Sequence, residues 1–186
     1  FKKPNKILLF MGRLDRQKGL SELITAWNQI VNQAEVYNWW LLIAGFGELK
    51  KNVISNSNKS NSRIIFKGPI FGEEKFFILQ NSKAFILPSY NEGLPISILE
   101  ALSFKTTCLI SDKCNMHNLF DSDISLKINI TKNENNIKEV LIKLFKLSEK
   151  DLDEREKLGI KYLENHHRWD KIIFETNMFY KDLCKE

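Results

Sequence analysis

Ala84-Phe85-Ile86-Leu87-Pro88-Ser89-Tyr90-Asn91-Glu92-Gly93-Leu94-Pro95-Ile96-Ser97-Ile98-Leu99-Glu100 is the stretch from which the rest of the chain can be organised. Ala84 to Leu87 is a short apolar run closed by a proline, the pattern of a buried strand. Pro95 has the fixed φ that suits the first position of a helix. Ile96, Ile98, Leu99, Ala101 and Leu102 leave that helix apolar nearly all round, as expected of one buried on a sheet. The unit is therefore strand, loop, buried helix. A helix start leaves N–H groups unpaired and carries partial positive charge, so Gly93, Leu94 and the turn after Pro95, with Ile96, form a seat for an anion. Glu100 is a costly residue on so apolar a helix unless it is hydrogen-bonded or ion-paired, and helical side chains lean back toward the N-terminus and the seat. Glu92 lies eight positions earlier, in the loop. Two acceptors and an anion seat suit a ligand that carries hydroxyls and phosphate.

The same unit recurs on either side. Ile7 to Met11 is an apolar run that stops at Gly12-Arg13-Leu14-Asp15-Arg16-Gln17-Lys18-Gly19. Leu20, Leu23, Ile24, Trp27, Ile30 and Val31 then follow at helical spacing. Arg13, Arg16 and Lys18 beside glycine suit a diphosphate, and they equally suit a solvated basic loop. Trp39 to Ala44 is the next strand and ends at Gly45-Phe46-Gly47-Glu48. The third glycine or alanine of a dinucleotide fingerprint is missing, because Lys50 stands there, so a nicotinamide site is not expected. Ser55 to Ser62 reads as a polar surface loop. Arg63 to Lys67 is a third strand, closed by Gly68-Pro69. Glu73 to Gln80 is a helix whose apolar contacts come from Phe76, Phe77 and Leu79. Thr106 to Ser111 is a fifth strand. Ser125 to Ile130 alternates as an edge strand with one exposed face. Ile137 to Leu147 is an amphipathic helix, Ser148 and Asp151 approximate a capping box for another, and Trp169, Ile172, Ile173, Phe179, Tyr180 and Leu183 mark a last one.

Alternation of strand and helix from Ile7 to Leu147 predicts an α/β fold, a Rossmann-like doubly wound parallel sheet with helices on both faces. Ligands of such sheets bind beyond the C-terminal ends of the strands, where Gly12, Gly45, Gly68 and Ser89 all fall. At 186 residues the chain can form a single domain that buries roughly 70% of its unfolded surface. Hydrophobic content of 43% fits a globular protein. No apolar run reaches the roughly 18 residues of a spanning helix, and the first residues carry no signal-peptide pattern. The 28 basic and 23 acidic residues are interspersed, which argues against a nucleic-acid partner. Cys108, Cys114 and Cys184 form no framework, pointing to a reducing compartment, and His117, His166 and His167 lack ligand partners, so no metal is expected.

Glu92 to Glu100 resembles the Glu-x7-Glu signature of retaining glycosyltransferases of GT-B fold, and Pro-Ser-x-x-Glu-Gly-x-Pro with Leu-Glu-Ala is similar to family 4. Gly12-Arg13 followed by Lys18-Gly19 resembles the same family's Gly-Arg-x4-Lys-Gly element, and Arg168-Trp169-Asp170-Lys171-Ile172 its closing segment. The resemblance implies a C-terminal donor-binding domain over residues 1–186, with the closing helix within 166–186 and the N-terminal acceptor domain absent. It implies transfer of a sugar from a nucleotide diphosphate sugar to an acceptor hydroxyl. Arg13 and Lys18 would neutralise the leaving diphosphate, Glu92 would take the sugar hydroxyls and Glu100 the ribose hydroxyls, with no cofactor and no metal. Gly45 and Gly47 would line the nucleotide cleft, although a tight strand-to-helix turn accounts for the same two glycines. Pro69 and Ile70 would lie along the base, although packing accounts for them too. The acceptor would be a glycan or a lipid-linked sugar in bacterial surface polysaccharide biosynthesis. The protein would be cytoplasmic, with peripheral contact at the inner membrane face, and the isolated domain would turn over little. A non-catalytic nucleotide-sugar-binding module is the alternative.

The chain departs from the family at two places. Lys105 and Thr107 replace a usual glycine and proline, so Lys105 has to take a positive φ or the turn is reshaped, at a cost of about 1 kcal/mol. Asn115 to Asp123 carries Met116-His117-Asn118-Leu119 where a glutamate and glycines are usual, so no donor contacts are carried over there.

Overall fold

The computed structural model describes residues 6–33, 36, 38–130 and 134–184. Six strands, β1 (Lys6–Met11), β2 (Trp39–Ala44), β3 (Ile64–Gly68), β4 (Ala84–Leu87), β5 (Thr107–Ser111) and β6 (Ser125–Ile128), form one sheet in the order β3-β2-β1-β4-β5-β6. Every adjacent pair is parallel, with Phe10 beside Ile43, Leu9 beside Phe85 and Ile86 beside Leu109. The order reverses direction between β1 and β4. A crevice opens at such a point because the loops after the two strands turn to opposite faces of the sheet.

Parallel strands need crossover helices, and these cover both faces. On one side α1 (Leu20–Ile30) packs on α6 (Glu134–Lys146), and Asn28 of α1 bonds Asn56 of α2 (Lys50–Ser57). On the other, α4 (Ile96–Ser103) packs on α7 (Glu149–His166), and α3 (Gly72–Gln80) reaches α4 through side chains. A short α5 (Asn118–Asp121) precedes β6, and α8 (Trp169–Leu183) closes the chain. Burial on both faces explains why β4 and β5 are buried along their whole length. Trp27 and Trp39 meet Phe145 edge-on and tilted at 6.1 and 5.0 Å, tying α1, β2 and α6 into one core.

Several expectations hold and others need correction. Ser148 and Asp151 make a reciprocal capping box at the start of α7. Lys105 has a φ of 58°, so of the two alternatives the positive φ is the one adopted. Residues 55–57 belong to α2, not to a loop: Asn56 is buried and bonded to Asn28, Asn52 and Lys59, so local polarity gave way to a buried amide network. Phe76 and Phe77 are exposed, and Ile78 and Leu79 are the residues that α3 buries. Pro95 is the N-cap of α4 and not its first residue. That helix buries Ile98, Ala101 and Leu102 but leaves Ile96 58% exposed, so it is one-sided. β6 ends at Ile128, and Lys127 alone of its four residues is exposed, because α5 and α6 both lie against it. No residue of α8 is buried, Trp169 is 76% exposed, and among the described residues no helix is long and apolar enough to cross a membrane.

Candidate functional site

The loop after β1 and the loop after β4 are pressed together at the reversal point. Asp15 caps a single 3₁₀ turn, Arg16–Lys18, by accepting from the Lys18 N–H at 3.1 Å. Gly19 follows at φ 64°, and a methyl group there would lie 2.0 Å from the Pro88 carbonyl oxygen. Only glycine permits that approach. The Tyr90 N–H donates to the Gln17 carbonyl at 2.8 Å, and Gln17 Nε2 donates to the Asn91 carbonyl at 3.3 Å. The result brings Lys18 Nζ onto Glu92 Oε1 in a very short ion pair, with 17% and 12% of the two side chains exposed. Glu92 is held in turn by the loop after β5, donating its N–H to Lys113 O at 3.1 Å and accepting from Asn115 N–H at 3.0 Å.

Beyond Glu92 the backbone is open. Among the described residues no protein acceptor takes the N–H of Gly93, Leu94, Ile96 or Ser97, and a methyl group on Gly93 would meet nothing within 4 Å. These amides lie at the start of α4, where the helix dipole is positive. These are the amides that the sequence reading offers as a seat for an anion, and they are unpaired. Gly12 is similarly open, and Arg13 beside it is exposed, reaching Asp15 at 3.3 Å and Gln17 at 3.5 Å. Glu100 lies four residues into α4, about 6 Å along the axis. Its Oε1 accepts from Lys75 Nζ of α3 at 2.6 Å.

Gly45 and Gly47 serve backbone packing and line the rim as well. Their φ values are 144° and 152°, and a methyl on Gly45 would come within 1.9 Å of Gly12 O, one on Gly47 within 2.5 Å of Leu14 O. The Leu14 N–H donates to Phe46 O and the Leu49 N–H to Leu14 O, at 2.8 and 2.9 Å. Gly45 also borders an apolar cavity of about 130 Å³ walled by Met11, Gly12, Phe46, Pro69, Ile70 and Phe71. Pro69 and Ile70 therefore meet the rim at the ends of β1, β2 and β3.

The site so far comprises open backbone at Gly12 and at the α4 amides with Arg13 and Lys18 on the loop after β1, two carboxylates each paired with a lysine, and an apolar hollow beside Gly45. Cys114 backs the first carboxylate: burial pushes its thiol up to about 11, and the Glu92 charge acts in the same direction. Among the described residues no three His, Cys, Asp or Glu side chains converge as a metal site would need. Sequence reasoning missed Lys75, Gln17 and the Phe46 and Phe71 walls. It also missed the Asp15 cap, for which a signal was present, since an Asp three residues before Lys18 has N-cap spacing. Lys75 gave no signal, because its partner is in another helix 25 positions on.

The fold is shared with solved glycosyltransferase structures. WaaG, of lipopolysaccharide biosynthesis, superposes with a TM-score of 0.73 at 18% identity over 89% of this chain and 44% of its own. The UDP-forming trehalose-phosphate synthase of Burkholderia vietnamiensis gives 0.78 at 12% identity over 98% and 46%. An uncharacterized glycosyltransferase of Methanocaldococcus jannaschii is 31% identical over 59% of this chain and 27% of its own. The Campylobacter jejuni GalNAc-alpha-(1->4)-GalNAc-alpha-(1->3)-diNAcBac-PP-undecaprenol alpha-1,4-N-acetyl-D-galactosaminyltransferase is 27% identical over 95% and 50%. The chain thus spans between about a quarter and a half of these relatives. Its residues 1–161 match the family model described as Glycosyl transferases group 1, and by that match the chain belongs to this glycosyltransferase family.

Proposed function

We propose that this chain is the donor-binding domain of a retaining glycosyltransferase of family 4, which moves a sugar from a nucleotide diphosphate sugar to an acceptor hydroxyl. The observation that carries the reading is the set of unpaired α4 amides that directly follow Glu92, itself ion-paired to Lys18 where the loops after β1 and β4 meet at the reversal point of the sheet. The diphosphate sits on the amides of Gly93, Leu94, Ile96 and Ser97 beside Gly12, with Arg13 and Lys18 as counter-charges. Pro69 and the apolar hollow receive the base, and Glu100 receives the ribose hydroxyls.

The bond from the anomeric carbon to the phosphate oxygen breaks with its electron pair on the diphosphate. Arg13, Lys18 and the amides stabilise the charge that develops there. The acceptor oxygen bonds to the same face of the sugar, and its proton passes to the departing phosphate oxygen. Lys18 moves from Glu92 to the diphosphate, which frees Glu92 to accept from the sugar hydroxyls. Charge compensation comes from the protein, so no divalent metal takes part in this reading.

A lipid-linked sugar is the acceptor class in this reading. The Campylobacter relative and the Escherichia coli UDP-Gal:alpha-D-GlcNAc-diphosphoundecaprenol alpha-1,3-galactosyltransferase, 29% identical over 64% of this chain, are both named for such substrates. The enzyme works at the cytoplasmic face of the membrane in surface glycan assembly. The acceptor is bound by a second domain across the cleft, so this domain alone binds donor and turns over little.

Titration calorimetry with UDP, GDP and ADP tests the donor site. One nucleotide binds, and Arg13→Ala and Lys18→Ala each weaken it by at least about tenfold, the worth of a charge-assisted contact to phosphate. Binding unchanged in both folded variants would refute the assignment.

A further inference from the structure

The lysine that faces Glu100 has no role in the donor site described so far. Lys75 lies on α3, whose neighbours Glu73 and Glu74 sit in the first turn, with Glu74 paired to Lys67 at 2.8 Å. Lys75 instead crosses to α4 and donates to Glu100 Oε1 at 2.6 Å, with only 24% of its side chain exposed. The ammonium is steadied over the Phe76 ring at 5.5 Å, and Phe76 stacks on Phe104 at 5.7 Å. A long side chain gives up rotamer freedom to be held in this way, so its hold on one carboxylate oxygen calls for a reason.

The reason lies in the second oxygen. Glu100 Oε2 accepts from no protein group among the described residues and is not closed off from solvent. One oxygen is therefore pinned and the other is presented. We propose that Lys75 is a positioning residue for Glu100, pinning Oε1 so that the unoccupied Oε2 is aimed at the vicinal hydroxyls of the nucleoside of the donor. The inference rests on the donor-site reading and extends it to a residue on a separate helix. A free glutamate at this place samples several rotamers, and each hydroxyl contact then costs ordering that Lys75 has supplied in advance.

The test is calorimetry of the chain with UDP, GDP and ADP and with their 2′-deoxy counterparts, for wild type, Lys75→Met, Glu100→Gln and the double variant. Wild type prefers the ribonucleotide about tenfold or more, the range for a hydrogen bond to a charged acceptor. Lys75→Met cuts that preference to within about threefold and leaves 2′-deoxynucleotide binding nearly unchanged, and it has no further effect once Glu100 is Gln. Equal weakening of ribo and deoxy forms by Lys75→Met, or full additivity in the double variant, would assign the pair to helix packing and overturn the proposal. A wild type that binds both forms equally overturns it while the donor site stands. A folded wild type that binds no nucleotide removes the donor-site reading and this proposal together.

Discussion

Replacing Gly19 with alanine strikes the contact on which the site depends. Gly19 has a φ of 64°, and the added methyl would stand 2.0 Å from the Pro88 carbonyl oxygen, where ordinary contact begins at 3.4 Å. The loops after β1 and β4 must therefore part by more than about 1 Å, since repulsion rises steeply inside van der Waals contact. The left-handed conformation costs an L-residue about 1–2 kcal/mol, and forcing atoms into a packed contact adds about 1–3 kcal/mol. The expected loss is about 2–5 kcal/mol, which lowers the urea midpoint by about 1–2 M for a chain of this size. Gly12→Ala is the control: its methyl meets nothing within 4 Å, so stability stays within about 0.5 kcal/mol. Equilibrium urea unfolding followed by tryptophan fluorescence and circular dichroism reads both. Parting the loops also carries Lys18 away from the α4 amides that follow the other loop, so the affinity that Gly19→Ala retains for nucleotide falls along with stability. A midpoint for Gly19→Ala within about 0.2 M of wild type would refute the close approach and the geometry built on it.

Three further outcomes follow from the same structure. Burial raises the Cys108 and Cys114 thiols, the latter to about 11, while Cys184 is exposed; iodoacetamide at pH 8 on the native protein should give one adduct by mass spectrometry, at Cys184, and three after unfolding. Lys105→Gly relieves a φ of 58° and should stabilise the fold by about 1 kcal/mol in urea unfolding. The hydrogen bond from Lys6 holds the Glu149 carboxyl below its usual range despite some desolvation, and Lys83 adds to the effect. A depressed carboxyl contributes stability above the unfolded value of 4.5 and loses it as pH falls through the folded one, so Glu149→Gln should flatten the low-pH end of the stability curve.

Much of this protein is legible along the chain because the signals are local. Proline after Leu87, glycine after Met11 and the 3.6-residue recurrence from Leu20 to Ile30 each act within a few residues, and they gave the strands, the helices and their alternation. That alternation implies a parallel sheet, since parallel neighbours need a crossover between them. Gly12, Arg13, Lys18, Glu92 and the α4 amides were placed at strand ends by the same reasoning. The unusual φ of Lys105 was one of the two outcomes left open by the resemblance, which implies a glycine at that turn. The errors arose where burial is decided by distant partners. Asn56 looked like loop because its amide is satisfied by Asn28 on another helix, and Phe76 and Phe77 looked like core because hydrophobicity does not say which side of α3 faces the sheet.

Sequence alone determined the doubly wound α/β class, the glycines and charges at the strand ends, and the Ser148–Asp151 capping box, since each depends on residues within a turn or two of its own position. Tertiary structure alone decided that the sheet reverses between β1 and β4, that Gly45 and Gly47 are required by the Gly12 and Leu14 backbone, and that Lys18 meets Glu92 while Lys75 meets Glu100. Those pairings join residues 74 and 25 positions apart. Nothing local encodes them, because a lysine's partner is whichever carboxylate the packing of strands and helices brings within reach.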